Sequence, residues 1–346
     1  MAFTDFVKFR SEDYKLMQKY YPESSAFKKL VYCWKKYRYQ KIFNFAHMEF
    51  FCFHLGEKKK TEVAKFFPRK LQADLYLKVN DKSAYPITKD KYASYWRLKE
   101  FYKRKVCAYN PSPNSFVKEA YESYDWQKDI LDFLGNHMNY IIKPLAEACG
   151  RGVKIIKKEV SDDPDILLKH YMTEYPNGFV LEELIKQHDF LATFHPSSVN
   201  TIRINVFNST NYRGVDLQFP CFRVGRKGAV VDNAGNGGIM VAIDVKTGEL
   251  ISAADEDGRF YQEHPDTHVA FVGIIPFWKE LLSIATQVAL AMPELRIAGL
   301  DFALDKEKGW VLVEINCDPH MLYEIATQKG IRGYMENFAH VCEVYK

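Results

Sequence analysis

Two strand-length apolar runs near the C-terminal end, residues 299–305 and 311–316, are separated only by a short polar stretch with Lys306-Glu307-Lys308-Gly309 at its centre. Polar residues ending in Gly between two such runs mark a β-hairpin. The hairpin forces particular side chains together. Glu314 and Asn316 are two residues apart on one strand and point to the same face, and pairing brings Asp301 of the other strand close to both. Two carboxylates and an amide oxygen on one sheet face form a hard-oxygen cluster. Mg²⁺ suits such a set, because it takes one or two carboxylates and completes its shell with water and phosphate. Taken alone, the same acids would read as solvated positions of a surface hairpin, so the rest of the chain has to decide.

The 346 residues are enough for a large core divided into two or three subdomains. No apolar run reaches the roughly 18 residues of a membrane span, and the N-terminus has no signal-peptide pattern. The seven cysteines are dispersed without a C-x-x-C pair, which favours reduced thiols over a disulfide framework or zinc site. A cytoplasmic protein is expected.

Charge is distributed unevenly. Residues 1–110 hold 25 Lys/Arg against 11 Asp/Glu, whereas residues 111–346 hold 23 against 33. A basic front half suits an anionic partner such as phospholipid headgroups or an acidic saccharide, and equally suits solvated helix faces. Nucleic-acid-binding signatures are absent.

Local texture changes along the chain. Residues 1–70 read as mostly helical, and residues 26–55 contain neither Gly nor Pro. A helical pattern returns at 90–105. From Tyr140 onward, short β-like runs dominate, broken by Gly, Pro and Asn, with helices near 277–291 and 330–344. The expected class is α+β, with a helical N-terminal region on a sheet-rich catalytic body.

Two segments have the makings of a nucleotide site. Residues 141–154 form a strand carrying Lys143, a loop with Gly150-x-Gly152, and a second strand. Glycines let backbone N–H groups approach phosphate oxygens, and a strand-borne Lys adds a point charge. The spacing is not that of a Walker A loop. Further on, Phe179-Val180-Leu181-Glu182-Glu183-Leu184-Ile185-Lys186-Gln187-His188-Asp189 supplies a backbone edge for a purine and polar groups for a ribose.

The order Lys143-Pro144, Gly150-x-Gly152, Val180-Leu181-Glu182-Glu183-Leu184-Ile185, Arg203, Asp301, Glu314-x-Asn316 resembles the ATP-grasp superfamily over roughly residues 90–325. The segments His195-Pro196 to Arg203, Phe222-Arg223-Val224-Gly225, Val231-Asp232-Asn233 to Gly237-Gly238 and His264-Pro265-Asp266-Thr267 are similar to its sugar-transfer-associated branch of glutamate-ligase-related proteins. The resemblance implies an ATP-grasp fold with a helical region at 1–89, a candidate acceptor-binding part, and a catalytic body at 90–346. Within that body it implies a lid subdomain near 138–183 and a metal-binding subdomain near 184–330.

By the same resemblance Lys143 and an upstream Lys, Lys91 or its rival Lys82, contact the nucleotide phosphates, and Gly150 and Gly152 lie in the lid loop. Glu182, Glu183, Leu184 and Ile185 border adenine, with Gln187 or Asp189 at the ribose. Asp301, Glu314 and Asn316 hold one or two Mg²⁺ ions, for which Mn²⁺ can substitute. Arg203, Arg223, Asn233, Gly237 and Gly238 cradle the acyl phosphate. The implied activity is an ADP-producing carboxylate–amine ligase, joining an amino acid or amine to a uronic-acid sugar or other carboxylate in polysaccharide or cell-envelope synthesis. A lipid-linked saccharide at the inner membrane face is an implied partner. The alternative on the same platform is a kinase acting on a hydroxyl.

Two departures stand out. Gly299 occupies the place where many relatives carry an Arg, and Cys317-Asp318-Pro319-His320 replaces the usual x-x-Pro-Gly. The transition-state cation is therefore expected from Arg203 or Arg223. His195 and His264, each before a Pro, read as loop entries, and Cys149 and Cys317 as bystanders.

Overall fold

The computed structural model describes residues 3–122, 125–146, 150–209, 214–229, 232 and 237–344. Seven helices come first: α1 (Phe3–Tyr20), α2 (Ala26–Phe43), α3 (Glu49–Cys52), α4 (Lys60–Val63), α5 (Arg69–Val79), α6 (Ala84–Lys89) and α7 (Lys91–Tyr102). The run without Gly or Pro from 26 to 55 is not one helix. Asn44 adopts the left-handed conformation (φ 64°) and donates its N–H to the Gln40 carbonyl, closing α2. Asn reaches that region more readily than other non-Gly residues, so no Gly was needed.

Strands β1 (Val106–Tyr109), β2 (Asn139–Pro144), β3 (Lys154–Lys157) and β4 (Phe179–Glu183) form an antiparallel sheet in the order β1-β4-β2-β3. Helices Trp126–Asn136 and Pro164–Glu174 join its core through Ile130, Phe133, Leu168 and Tyr171. A larger antiparallel sheet contains β5 (Thr201–Asn208), β6 (Val215–Val224), β7 (Ile239–Ile243), β8 (Leu250–Ala254), β9 (Phe260–Tyr261), β10 (Ile297–Asp305) and β11 (Gly309–Asn316). Their order is β11-β10-β5-β6-β7-β8-β9.

The large sheet is covered on both faces, which explains why β5 and β10 are buried along their whole length. On one face Ile202, Ile204, Phe222, Val241 and Leu300 pack against Leu281, Ala285 and Val288 of helix Trp278–Ala291. On the other, Met240, Ala242 and Ala254 meet Phe50, Phe51 and Phe53 of the N-terminal helices and their linkers. The alternation of Val241 with Met240 and Ala242 is the period of two at work. Phe51 is 1% exposed, and truncating so buried a ring to Ala costs about 3–5 kcal/mol. The N-terminal helices thus share a core with the sheet that carries the acidic hairpin. Among the described residues, no helix is long and apolar enough to cross a membrane.

Candidate active site

A cleft of about 520 Å³ opens between the two sheets. Its floor is the hairpin of β10 and β11, where Asp301 sits opposite Glu314 and Gly299 opposite Asn316. β5 pairs with β10 so that Arg203 lies beside Asp301. Its guanidinium donates from Nε to Asp301 Oδ1 and from Nη2 to Oδ2, the latter at 2.7 Å. This is the forked geometry that suits carboxylates and phosphates. Arg223 of β6 donates Nη1 to the same Oδ2 at 2.7 Å, and its Nη2 lies 3.3 Å from Asp232. Asp232 in turn accepts from the Thr201 N–H at 3.0 Å and from its hydroxyl. Burial pushes the Asp301 carboxyl up, but the two arginines more than reverse this and hold it below the usual carboxylate range. Burial leaves Asp232 raised despite Arg223.

Gly299 has a steric reason. A Cβ there would lie 2.7 Å from Pro319 Cβ and 3.0 Å from Arg203 Cδ. The missing side chain lets the stem of Arg203 cross its neighbouring strand, so an arginine reaches Asp301 from β5 where none is available from position 299.

The hairpin residues fit a hard divalent cation. Asp301 and Glu314 face each other in register, and the buried Asn316 Nδ2 has no hydrogen-bond partner among the described residues. With no protein acceptor holding its Nδ2, the amide can turn Oδ1 toward a cation on the face it shares with Glu314, while Nδ2 donates to a phosphate oxygen. Among the described residues no three His, Cys, Asp or Glu side chains gather as a metal site. Two carboxylates with one amide are the lean set that Mg²⁺ uses when phosphate and water complete its shell.

The opposite wall comes from the four-stranded sheet. Lys143 Nζ donates to Glu182 Oε1 at 2.9 Å, a pair built by β2 and β4 lying side by side. Arg104 grips the other carboxylate oxygen from Nε (3.1 Å) and Nη2 (2.8 Å), while its Nη1 bonds the Leu312 carbonyl at 2.6 Å. Burial raises the Glu182 carboxyl, and the Lys143 and Arg104 charges outweigh it, leaving it at about 2. Lys91 opens α7 behind its N-cap Asp90, whose carboxylate accepts from the Tyr92 and Ala93 N–H groups at 2.9 Å. Its ammonium donates to the Pro144 carbonyl at 3.0 Å. Burial lowers the Lys91 pKa, with the Glu314 charge opposing and the Lys143 charge adding. Lys91 lines the cleft, whereas Lys82 is exposed and does not.

The cleft therefore collects Lys91, Lys143, Gly150, Glu182, Glu183, Ile185, Arg203, Arg223, Asp301, Glu314 and Asn316. Several expected residues lie elsewhere. Gln187 uses its amide on a loop, donating to the Ser198 carbonyl at 3.1 Å and accepting from the Asn200 N–H. Asp189 is the exposed first residue of helix Asp189–Phe194 and pairs with Lys306. Neither lines the cleft, and Leu184 does not line it either. Gly152 (φ 69°) packs on the end of β2, where a Cβ would lie 2.7 Å from Pro144 Cγ. Gly237 and Gly238 precede β7 away from the cleft lining. Asn233 and Cys149 lie outside the described residues.

The two histidine motifs are structural. His195 Nδ1 meets Ser198 Oγ at 2.8 Å, that hydroxyl donates to Asn200 Oδ1 at 2.7 Å, and His264 Nε2 meets the Gly225 carbonyl at 2.8 Å. This buried network clamps the loops around β5 and β6.

Sequence reasoning passed over Thr201, Asp232, Glu256 and His320, all of which line the cleft. Asp232 adjoins Asn233 in sequence, but its contacts with Arg223 and Thr201 depend on the placement of β5 beside β6. His320 is partly buried, and burial followed by the Arg69 and Arg203 charges lowers its pKa to about 4. A neutral imidazole thus stands in a cationic corner at pH 7.

Residues 70–340 match the family of sugar-transfer-associated ATP-grasp proteins. Among curated proteins, none matches the sequence. Solved structures that match part of the chain include the D-cycloserine synthetase DcsG, at 12% identity over 75% of this chain and 71% of that one, with a TM-score of 0.43. Another is the D-alanine–D-alanine ligase of Helicobacter pylori, at 14% identity over 78% and 68%, with a TM-score of 0.45. A third is the ATP-grasp ligase PsnB with its minimal precursor, at 12% identity over 77% and 62%, with a TM-score of 0.41. The chain belongs to the sugar-transfer-associated ATP-grasp family.

Proposed function

We propose that this ATP-grasp enzyme joins an amino acid or other amine to a uronic-acid sugar, or a comparable carboxylate, during polysaccharide or cell-envelope assembly, and that it does so through an acyl phosphate. The observation that carries the reading is the pair of arginines, Arg203 and Arg223, converging on Asp301 beside Glu314 and Asn316. Facing them across the cleft are two lysines, Lys91 and Lys143.

Four cations around one cleft suit a reaction whose reactants are a polyphosphate and a carboxylate. A substrate carboxylate oxygen attacks the γ-phosphorus, the bond to the bridging oxygen breaks, and ADP leaves. The amine then attacks the acyl carbon, phosphate departs, and the nitrogen loses a proton. Lys91 and Lys143 hold the nucleotide phosphates, with Lys143 exchanging its Glu182 partner for them. Arg203 and Arg223 orient the substrate carboxylate and balance charge on the transferring phosphoryl group. Mg²⁺ held by Asp301, Glu314 and Asn316 would neutralise phosphate oxygens. The exposed carboxylates Glu256 and Asp318, which also line the cleft, suit the ammonium of the incoming amine, and the neutral His320 suits removal of its proton. The saccharide carboxylate would be presented on a lipid carrier at the inner face of a membrane, which makes the enzyme a cytoplasmic protein that visits that surface.

Hydroxylamine tests the route. With Mg-ATP and a uronic-acid panel, an acyl hydroxamate should form only when both carboxylate and ATP are present. A stable phosphorylated sugar without hydroxamate, from substrates that do release ADP, would reject the ligase in favour of a kinase.

A further inference from the structure

α2 is apolar on two faces, and the fold covers only one of them. The inner face buries Tyr32, Lys36 and Tyr39. The outer face presents Phe27, Leu30, Trp34, Tyr37 and Ile42, which are 77%, 57%, 57%, 51% and 45% exposed. Their spacing of three, four, three and five residues places them along one side of a helix. Single exposed apolar residues are ordinary, but a stripe of five along one helix marks a contact surface.

The charges around the stripe are of one sign. Lys28, Arg38 and Lys41 are exposed on α2, and Asp and Glu are absent from residues 24–48. The Arg38 guanidinium lies 4.9 Å from the centre of the Trp34 ring. The inner cation is already matched, since Lys36 Nζ donates to the buried Asp13 at 2.8 Å. The outer cations have no such acid beside them on the helix.

We propose that the outer face of α2 docks on an anionic lipid bilayer. The helix would lie in the headgroup plane, with Phe27, Leu30 and Trp34 reaching the acyl boundary and Lys28, Arg38 and Lys41 on lipid phosphates. This rests on the membrane-visiting part of the proposed function and gives it a surface. Charge complementarity selects the occupant. A second copy packed on the same face would bring two sets of Lys28, Arg38 and Lys41 into one interface with no acid on either helix to offset them. A bilayer rich in anionic headgroups supplies both the apolar layer and the opposite charge.

The surface also connects to the cleft. The N-terminal helical layer holds the turn after β8, through Tyr20 Oη at the end of α1 donating to Asp257 Oδ1 at 2.7 Å and His54 Nε2, after α3, meeting the Gly258 carbonyl at 2.8 Å. The same turn carries Glu256, which lines the cleft. Docking through α2 would therefore tether to the membrane the layer that holds this part of the cleft wall.

Co-sedimentation with phosphatidylglycerol-containing vesicles tests this, with phosphatidylcholine vesicles as the neutral control. The full chain should bind the anionic vesicles with a blue shift in tryptophan emission. Binding should weaken when salt rises from about 0.1 to about 0.5 M. The double variant Phe27→Ser/Trp34→Ser should bind at least about tenfold more weakly, and Arg38→Glu/Lys41→Glu should lose the anionic preference. Circular dichroism should be unchanged in both, since the altered side chains are exposed. Wild-type-like binding by both variants would overturn the assignment to α2 and leave membrane association standing. Failure of the wild type to bind anionic vesicles would overturn both, hand the face to a protein partner, and leave the hydroxamate test of the ligase untouched. A dimer in sedimentation velocity that Trp34→Ser dissociates would assign the face to a second copy instead.

Discussion

Two buried carboxylates, one on each sheet, are each held by two cations, yet they are built for different work. Glu182 is closed on every side: Lys143 takes one oxygen, Arg104 takes the other, and Arg104 spends its remaining arm on the Leu312 carbonyl. Asp301 sits in an incomplete arrangement. One of its arginines, Arg223, is shared with Asp232, and buried groups around it, Asn316 Nδ2, Arg223 Nε and Asn205 Oδ1, have no partner among the described residues. A network without spare hydrogen-bonding capacity holds a wall in place, whereas leftover capacity costs stability unless a ligand arrives to use it. By that criterion the four-stranded sheet supplies the frame of the cleft and the hairpin supplies its chemistry.

The largest effect should come from removing the hairpin donors. Glu314→Ala or Asn316→Ala is expected to lower turnover by about a thousandfold or more, with little change in the unfolding curve because neither side chain forms an ion pair among the described residues. ADP release at saturating Mg-ATP measures it. Near-normal rates in both variants would remove the metal assignment and erase the contrast between the two carboxylates.

Glu182→Gln should do the opposite. It leaves Arg104 and Lys143 facing a neutral amide in a buried place, so stability should fall by about 3–5 kcal/mol in urea unfolding. Whatever fraction stays folded should still turn over. A stable but inactive variant would make Glu182 a catalytic group rather than part of the frame.

Parts of this contrast were legible in the sequence. The i, i+2 spacing of Glu314 and Asn316, with a four-residue polar break before them, dictates their shared face and the approach of Asp301, because strand period and hairpin closure are local properties. Arg203 could be placed on the polar side of β5 for the same reason. What could not be read depends on register between distant segments. That Arg104 would reach Glu182 across 78 residues, or that Asp232 would reach Arg223, is set by how β1, β4 and β6 are ordered in their sheets. The positions of Gln187 and Asp189 belong to the same class: neither lines the cleft, and the Gln187 amide is engaged with Ser198 and Asn200 of a loop. Gly299 is the instructive case, since its absence of a side chain was visible but the arginine that fills the space comes from another strand.

Lys143 links the two networks and should show an intermediate effect. Lys143→Ala is expected to raise the KM for ATP and lower kcat, reducing kcat/KM by about ten- to a hundredfold, because one charge contact is lost in both ground and transition states. Gly299→Ala probes the other side at similar size, since the added Cβ would push the Arg203 stem off its path. It should lower kcat more than it raises the KM for ATP. Unchanged ATP kinetics in Lys143→Ala would confine that lysine to the frame with Glu182.

The smallest effect concerns a third buried carboxylate that has no cation in hydrogen-bond contact. Glu324 is 0% exposed and accepts from the Phe67 and Ile331 N–H groups through one oxygen, while its other oxygen has no partner among the described residues. Burial pushes its pKa up to about 8, where Lys143 and Arg104 hold Glu182 at about 2. The sign follows from linkage. Between its ordinary value of 4.5 and about 8 the folded chain keeps a proton that the unfolded chain has released. This group's contribution is therefore most favourable below pH 4.5 and is lost progressively as pH rises toward 8. Glu324→Gln keeps the accepting oxygen and removes the titration. The variant should match the parent near pH 4.5 and exceed its unfolding free energy by on the order of 2 kcal/mol at pH 9, with turnover unaffected because the residue lies between the N-terminal helices and the sheet rather than in the cleft. Parallel pH profiles for the two proteins would mean that Glu324 finds a cation the fold does not show, and that burial without a partner is not what separates it from Glu182 and Asp301.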